Sequence, residues 1–384
     1  MSDTIPTRIV SIGAEWLNVR TGGLNRYAEG VSRALAAEGV AQRWLVTGTE
    51  DLTPSELVQV HAVASPDDGV ITRLRAMWRE RSIIEGADLV TSHLALYAYP
   101  LRGRLKYLPH VVHFHGPWAD ESHVEKKVGL NVRVKRHIEH AVYATGDRFI
   151  TLSQAFANVL FHRYDVNPER VRVIPGGVDI DHFETGLSRR DARRSLRWEL
   201  DRPIVLCVRR LVHRMGLEQL IEAMAEVRRS RPDAQLMIAG KGPLSPALAD
   251  IVTESGLADT VRLLGFVPDD ALPTVYRAAD LSIVPSQSLE GFGLIIPESL
   301  AAGTPALVTP VGGMPEIVRD LDSNLILPGS TVGDIRDGLL NALNGLESLP
   351  STAACQAYAQ ERFSWPAIAK RVLSVYTEAM EAYN

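Results

Sequence analysis

Cysteine is nearly absent from this chain: 384 residues contain two, Cys207 and Cys355. They lie far apart, and Cys207 sits in the apolar run 203–208. Buried thiols in a reducing compartment are therefore expected rather than a disulfide framework. An excess of positive charge is also missing. Lys and Arg number 41 against 46 Asp and Glu, a net charge of −5, which argues against a dedicated nucleic-acid binder. No run approaches the ~18 apolar residues needed to span a bilayer. The opening Met1-Ser2-Asp3-Thr4 has no basic stretch leading into an apolar one, the mark of a secretory signal, so the expected location is the cytoplasm. Neither low-complexity tracts nor short repeats occur.

What is present is an α/β pattern long enough for two domains. Strand-like runs at 8–13, 42–47, 87–91, 110–115, 148–152 and 171–174 alternate with helical stripes. A second series follows at 203–208, 236–239, 261–264, 281–284, 306–308 and 325–327. Such alternation predicts parallel sheets covered on both faces. The polar, Arg-rich stretch 181–202 reads as a crossing between domains, giving expected boundaries of 1–182 and 183–365. The first strand runs through a loop ending at Thr21 into Gly22-Gly23, and a helical stripe follows from Leu24 to Leu35. The fingerprint G-x-G-x-x-G is absent, so a dinucleotide site has little support. Gly22-Gly23 is either a plain tight turn or a place where backbone approaches a diphosphate.

The stretch Glu290-Gly291-Phe292-Gly293-Leu294-Ile295-Ile296-Pro297-Glu298 carries the most chemistry. Gly291 and Gly293 allow φ > 0 and close approach of a ligand. Pro297 suits the first position of a helix that ends at Gly303. The amides at the start of that helix offer a phosphate seat. Glu290 and Glu298 flank the turn, and carboxylates accept hydrogen bonds from sugar or ribose hydroxyls.

With Ala301-Ala302-Gly303-Thr304-Pro305 and Val311-Gly312-Gly313-Met314-Pro315-Glu316 following in order, this region resembles the retaining glycosyltransferases of GT-B architecture, in particular the GT4-like family. The resemblance covers most of the chain and is densest over 203–318. It implies two Rossmann-like domains facing each other across a cleft, with the last helix, 366–384, packing back on the first. It further implies transfer of a hexosyl group from a nucleoside diphosphate sugar to an acceptor hydroxyl with retention, by front-face attack. In the resembled family Glu290 would hold the sugar hydroxyls and Glu298 the ribose. Gly22 and Gly23 would lie against the phosphates, with Gly293, Leu294 and Ile295 supplying amides.

The diphosphate that leaves needs neutralising charge. Asp67-Asp68, Asp269-Asp270 and Asp320-Leu321-Asp322 read as solvated turns or helix starts, so no metal cofactor is expected. Fixed cations fit better. Val208-Arg209-Arg210-Leu211-Val212-His213-Arg214-Met215-Gly216 resembles the family's G-R-L-x-x-x-K-G, whose Arg and Lys grip the diphosphate. If Arg210 takes the family arginine, Met215 falls at the lysine. If Arg209 takes it, Arg214 has the lysine spacing but the glycine slips. The favoured pair is Arg210 with Arg214.

In His110-Val111-Val112-His113-Phe114-His115, His113 and His115 share one side of a strand. No third ligand of suitable spacing supports zinc. His115 matches a family histidine near the transferred sugar, whereas His113 reads as a core histidine. Arg102, Arg104, Lys106, Lys126, Lys127, Arg133, Lys135 and Arg136 make the first half locally basic. Opposite them run Leu130, Val134, Ile138 and Val142. This is either a peripheral contact with an anionic membrane or an ordinary solvated helix face.

The catalytic candidates are thus His115, Arg210 and Glu290, and the expected partner is a nucleotide-sugar donor. A nucleotide-sugar 2-epimerase or pseudo-glycosyltransferase on the same scaffold is one alternative. A non-catalytic nucleotide-sugar-binding protein is the other.

Overall fold

A computed structural model describes residues 6–20, 22–120 and 132–383. Lys126, Lys127 and Leu130 of the basic stretch lie outside them. The chain divides into two compact units, Met1–Gly177 with Trp365–Asn384, and Val178–Ser364. The division falls five residues before the expected boundary because Val178 already pairs with the second unit. Its amide donates to the Phe363 carbonyl at 2.7 Å, and it bridges to Ser364.

The first unit contains β1 (Arg8–Glu15), β2 (Ala41–Thr47), β3 (Leu52–Ser55), β4 (Val58–Ala62), β5 (Leu89–Ser92), β6 (His110–Phe114), β7 (Arg148–Thr151) and β8 (Val171–Val173). They form one sheet in the order β3-β4-β2-β1-β5-β6-β7-β8. Side chains leave a strand to alternate faces. Val10, Ile12, Val90, Val112, Phe114 and Phe149 therefore enter one core, with Ile138 and Val142 of the helix Val132–Tyr143. Ile9, Leu89, Val111 and Ile150 point the other way. There they meet Tyr27, Val31 and Leu35 of the helix Gly23–Ala37, and Ile368, Val372 and Tyr376 of the C-terminal helix Trp365–Tyr383. Burial on both faces explains why these strands read as nearly unbroken apolar runs.

The edge departs from the all-parallel expectation, since β3 and β4 form an antiparallel hairpin beside β2. β3 is mostly exposed and contains Pro54, features that suit an edge and weaken a hydrophobic strand signal.

The second unit contains β9 (Ile204–Val208), β10 (Gln235–Ala239), β11 (Val261–Gly265), β12 (Leu281–Val284) and β13 (Ala306–Val308). These five are parallel, in the order β11-β10-β9-β12-β13. The strand expected at 325–327 is instead the end of the 3-10 turn Ser323–Leu325, with one bridge from Ile326 to Val308. Nor is 181–202 a bare crossing. It holds the helix Arg189–Leu196, anchored by buried Arg193, which pairs with Asp280 at 2.6 Å and donates to the Ala278 carbonyl at 2.8 Å. Two fixed partners turn an arginine in a polar run into a core contact.

Candidate functional site

The loops after β9 and β12 meet at the carboxyl ends of their strands, where open α/β sheets bind ligands. Two glycines make this possible. Gly216, at φ 73, sits so close to the Pro285 carbonyl that a side chain there would collide with it. Gly312, at φ 58, abuts the Glu290 carbonyl, which accepts from the Gly313 amide at 3.0 Å. Both conformations fall in the left-handed region that only glycine adopts freely.

At this junction the guanidinium of Arg209 donates from Nη2 to Glu290 Oε2 at 2.5 Å and to Ser286 Oγ at 2.5 Å. The same nitrogen lies 2.6 Å from Met215 Sδ. Ser286 Oγ also donates to Glu290 Oε2 at 3.4 Å. The Arg209 side chain is only 5% exposed and that of Glu290 14%. Ser286 is held from behind, its carbonyl accepting from Thr309 Oγ1 at 2.7 Å.

The two arginines of the favoured pair differ from their neighbour Arg209 in their surroundings. Arg210 is exposed, and the adjacent Arg209 turns inward to Glu290. Arg214 is half-buried and donates from Nη1 to the Leu289 carbonyl at 3.1 Å. Its own carbonyl accepts from the Gln287 amide at 2.8 Å.

The glycine-hinged turn also differs in detail. Gly293 has φ 85 as expected, but Gly291 is not among the positive-φ residues and Leu289, at φ 52, is. The following helix spans Ile295–Ala301, so Pro297 sits at its third residue rather than its first. Its missing N–H still falls among the amides that lack helical partners. Glu298 is buried, and its Oε2 accepts from the Tyr276 hydroxyl at 3.3 Å. Around it, Ser282 and Ser299 hydroxyls meet at 2.7 Å, and Ser299 donates to the Thr304 carbonyl at 2.8 Å. Glu290 and Glu298 thus occupy the two ends of one turn, each with a fixed donor. Gly293, Leu294 and Ile295 lie between them.

In the first unit, Gly22 precedes the helix Gly23–Ala37, and among the described residues nothing beyond their chain neighbours and the helix backbone lies within 4 Å of where a side chain on Gly22 or Gly23 would begin. Gly22 is extended at φ 168, so its backbone does not demand glycine. His115 follows β6, and its Nε2 lies 3.2 Å from Nδ1 of His93. Burial lowers His115 to about 4, so its imidazole is neutral near pH 7. His113 is a satisfied core histidine, 3.2 Å from the Tyr27 hydroxyl and 2.9 Å from that of Tyr376. His93, which stacks on His113 at 4.3 Å, carries no motif that a sequence reading could use.

The basic stretch is largely committed to neighbours. Lys135 is buried with its ammonium over the Trp118 ring, Arg136 pairs with Asp120, and Arg104 pairs with Glu85. Ile138 and Val142 are in the core, leaving Val134 as the exposed member of the stripe among the described residues. Among the described residues, no helix is long and apolar enough to cross a membrane.

Residues 188–362 match the family described as Glycosyl transferases group 1, and residues 21–182 match Glycosyltransferase Family 4. A D-inositol 3-phosphate glycosyltransferase of Thermobispora bispora is 30% identical over 395 residues, spanning 94% of this chain and 90% of the relative. This chain belongs to the group 1 glycosyltransferases.

The group 1 glycosyltransferase is also 33% identical to an uncharacterised glycosyltransferase of Methanocaldococcus jannaschii, over 60% of each chain. Its fold is similar to that of sucrose-phosphate synthase from Thermosynechococcus elongatus, with a TM-score of 0.82 and 22% identity over 98% of this chain and 100% of that one. HepE from Anabaena, solved in complex with UDP and glucose, gives a TM-score of 0.75 at 19% identity over 96% and 98%. The architecture is GT-B: two α/β domains built on parallel sheets.

Proposed function

We propose that this glycosyltransferase moves a hexosyl group from a nucleoside diphosphate sugar to an acceptor hydroxyl with retention of configuration and without a metal. The observation that carries the reading is the turn bearing Glu290 and Glu298 at the carboxyl end of β12, with a buried arginine against it. Glu290 would accept hydrogen bonds from the sugar hydroxyls and Glu298 from the ribose. Arg210 and Arg214, with the amides of Gly293, Leu294 and Ile295, would meet the diphosphate as its charge grows. In the first unit, the open space at Gly22 and Gly23 would admit phosphate, and the neutral imidazole of His115 would contact the sugar.

In the proposed step the bond from the anomeric carbon to the phosphate oxygen breaks, and the electron pair leaves with the diphosphate. The acceptor oxygen attacks the same face, and the departing phosphate takes its proton. Two buried free thiols support work in a reducing cytosol.

A thermal-shift screen of UDP, GDP and ADP and their glucose and N-acetylglucosamine conjugates should reveal a stabilising ligand. Transfer is then assayed with D-inositol 3-phosphate first, the acceptor in the name of a relative. Sugar turnover without any acceptor would instead identify an epimerase, and binding without turnover a sensor.

A further inference from the structure

The pairing of Arg209 with Glu290 has a feature that a structural ion pair does not need. Arg209 Nε is buried and has no hydrogen-bond partner, while Nη2 alone contacts Glu290, Ser286 and Met215. A guanidinium presents five donors in a rigid fork, and a buried donor without an acceptor is costly. An arginine placed only for stability would have its fork filled, as Arg193 does with Asp280 and three carbonyls. Arg209 is left short of acceptors at the carboxyl end of a parallel sheet, beside a carboxylate on a turn.

The contact with Met215 adds a second observation. Arg209 Nη2 touches the sulfur of Met215, so its charge sits where the side chain of residue 215 ends. Residue 215 falls at the lysine of the resembled motif when Arg210 takes the arginine. The charge absent from position 215 thus arrives from position 209, along a different backbone path.

We propose that Arg209 joins Arg210 and Arg214 in gripping the diphosphate, and that Glu290 is its resting partner. This rests on the donor being a nucleoside diphosphate sugar. When the donor binds, a phosphate oxygen replaces the carboxylate on the Arg209 fork, and the sugar hydroxyls donate to the Glu290 carboxylate thus released. No covalent bond changes in this exchange. The carboxylate is uncovered only when a diphosphate is present to take the arginine, which couples occupancy of the phosphate site to readiness of the sugar site. Free monosaccharide would meet a carboxylate already neutralised by Arg209.

The test is titration calorimetry of UDP, GDP and ADP, with uridine, guanosine and adenosine as partners lacking phosphate. It uses the wild-type protein, Arg209→Met, Arg209→Lys and the double variant Arg209→Met with Met215→Lys. Arg209→Met is expected to weaken diphosphate binding by about ten- to a hundredfold, the range for losing hydrogen bonds to a charged group, with nucleoside affinity unchanged. The double variant, which returns an ammonium to the same spot from position 215, should recover most of the loss. If Arg209→Met alone misfolds, nucleoside binding disappears with it, and Arg209→Lys and the double variant decide the matter by the same diphosphate-to-nucleoside ratio. A ratio unchanged by Arg209→Met, or a ratio in the double variant that stays about ten- to a hundredfold below that of the wild-type protein, overturns the assignment of Arg209 and leaves the transferase reading standing. Failure of the wild-type protein to bind any of the three diphosphates overturns both.

Discussion

Arg214 donates to the carbonyl of Leu289 at 3.1 Å, and Leu289 holds φ 52, a left-handed conformation that a branched residue rarely adopts. The arginine lies half-buried on the loop after β9, and the leucine immediately precedes Glu290. Strain at one residue is thus retained by a hydrogen bond from another loop, and the carboxylate is aimed by the combination.

Arg214→Met should release this loop. Limited proteolysis within 287–293 should accelerate, and diphosphate affinity should fall by roughly tenfold, as expected for one hydrogen bond to a charged donor. Unchanged cleavage and affinity would show that Leu289 keeps its conformation without Arg214.

Glu290→Gln keeps the shape of the side chain but removes its charge. Transfer should fall by at least about a hundredfold, the loss typical of one preorganised electrostatic contact in the transition state. Binding of the nucleoside diphosphate should hold or tighten, because Arg209 no longer has a competing carboxylate at 2.5 Å. Full turnover in this variant would remove Glu290 from the site.

Gly30→Ala probes how the C-terminal helix is seated. Trp365 lies against both Gly30 and Gly177, and a methyl at either position would run into the indole. Urea denaturation should show a loss of about 1–3 kcal/mol, the usual cost of overpacking a full core. Trp365→Phe in the same chain should return part of that loss by making room.

Two buried groups give the first unit opposite pH slopes. Burial lowers His110 to about 4, so the unfolded chain takes up a proton below about 6.5 that the folded chain refuses. Stability from His110 is present above 6.5 and is lost as pH falls towards 4, at up to about 1.4 kcal/mol per pH unit. Burial raises Glu139 to about 7, against a partly offsetting hydrogen bond from Tyr164 at 3.0 Å. Stability from keeping Glu139 protonated is present below the ordinary value of 4.5 and is lost as pH rises through 7. Glu139→Gln should therefore match the wild-type protein near pH 4 and exceed it at pH 8 by on the order of 1–3 kcal/mol, measured by urea midpoints. Equal stability of the two at pH 8 would mean that Glu139 ionises without cost.

The core strands of both sheets are legible in the chain because each is buried on two faces and must be apolar at nearly every position. The strand pair β3 and β4 is not, since an exposed edge containing Pro54 carries no such run. The start of the helix Ile295–Ala301 was displaced by two residues from the proline that signals it, because proline is tolerated throughout a first turn. At the site, the two glutamates and the hinge at Gly293 stand out by order and spacing. Arg209 and Arg210 are adjacent and identical in type, so nothing in their chemistry says which one turns inward.

The order of residues alone determined that this protein has two α/β domains, a turn flanked by Glu290 and Glu298, and family membership readable from both halves. Local spacing and burial periodicity are properties of the chain itself, so they need no coordinates. Only the tertiary structure decided that Arg209 meets Glu290, that Tyr276 holds Glu298 and that His93 stands beside His115. Those pairs join segments up to 81 positions apart, and such contacts follow from how strands are ordered in a sheet, which no short segment encodes.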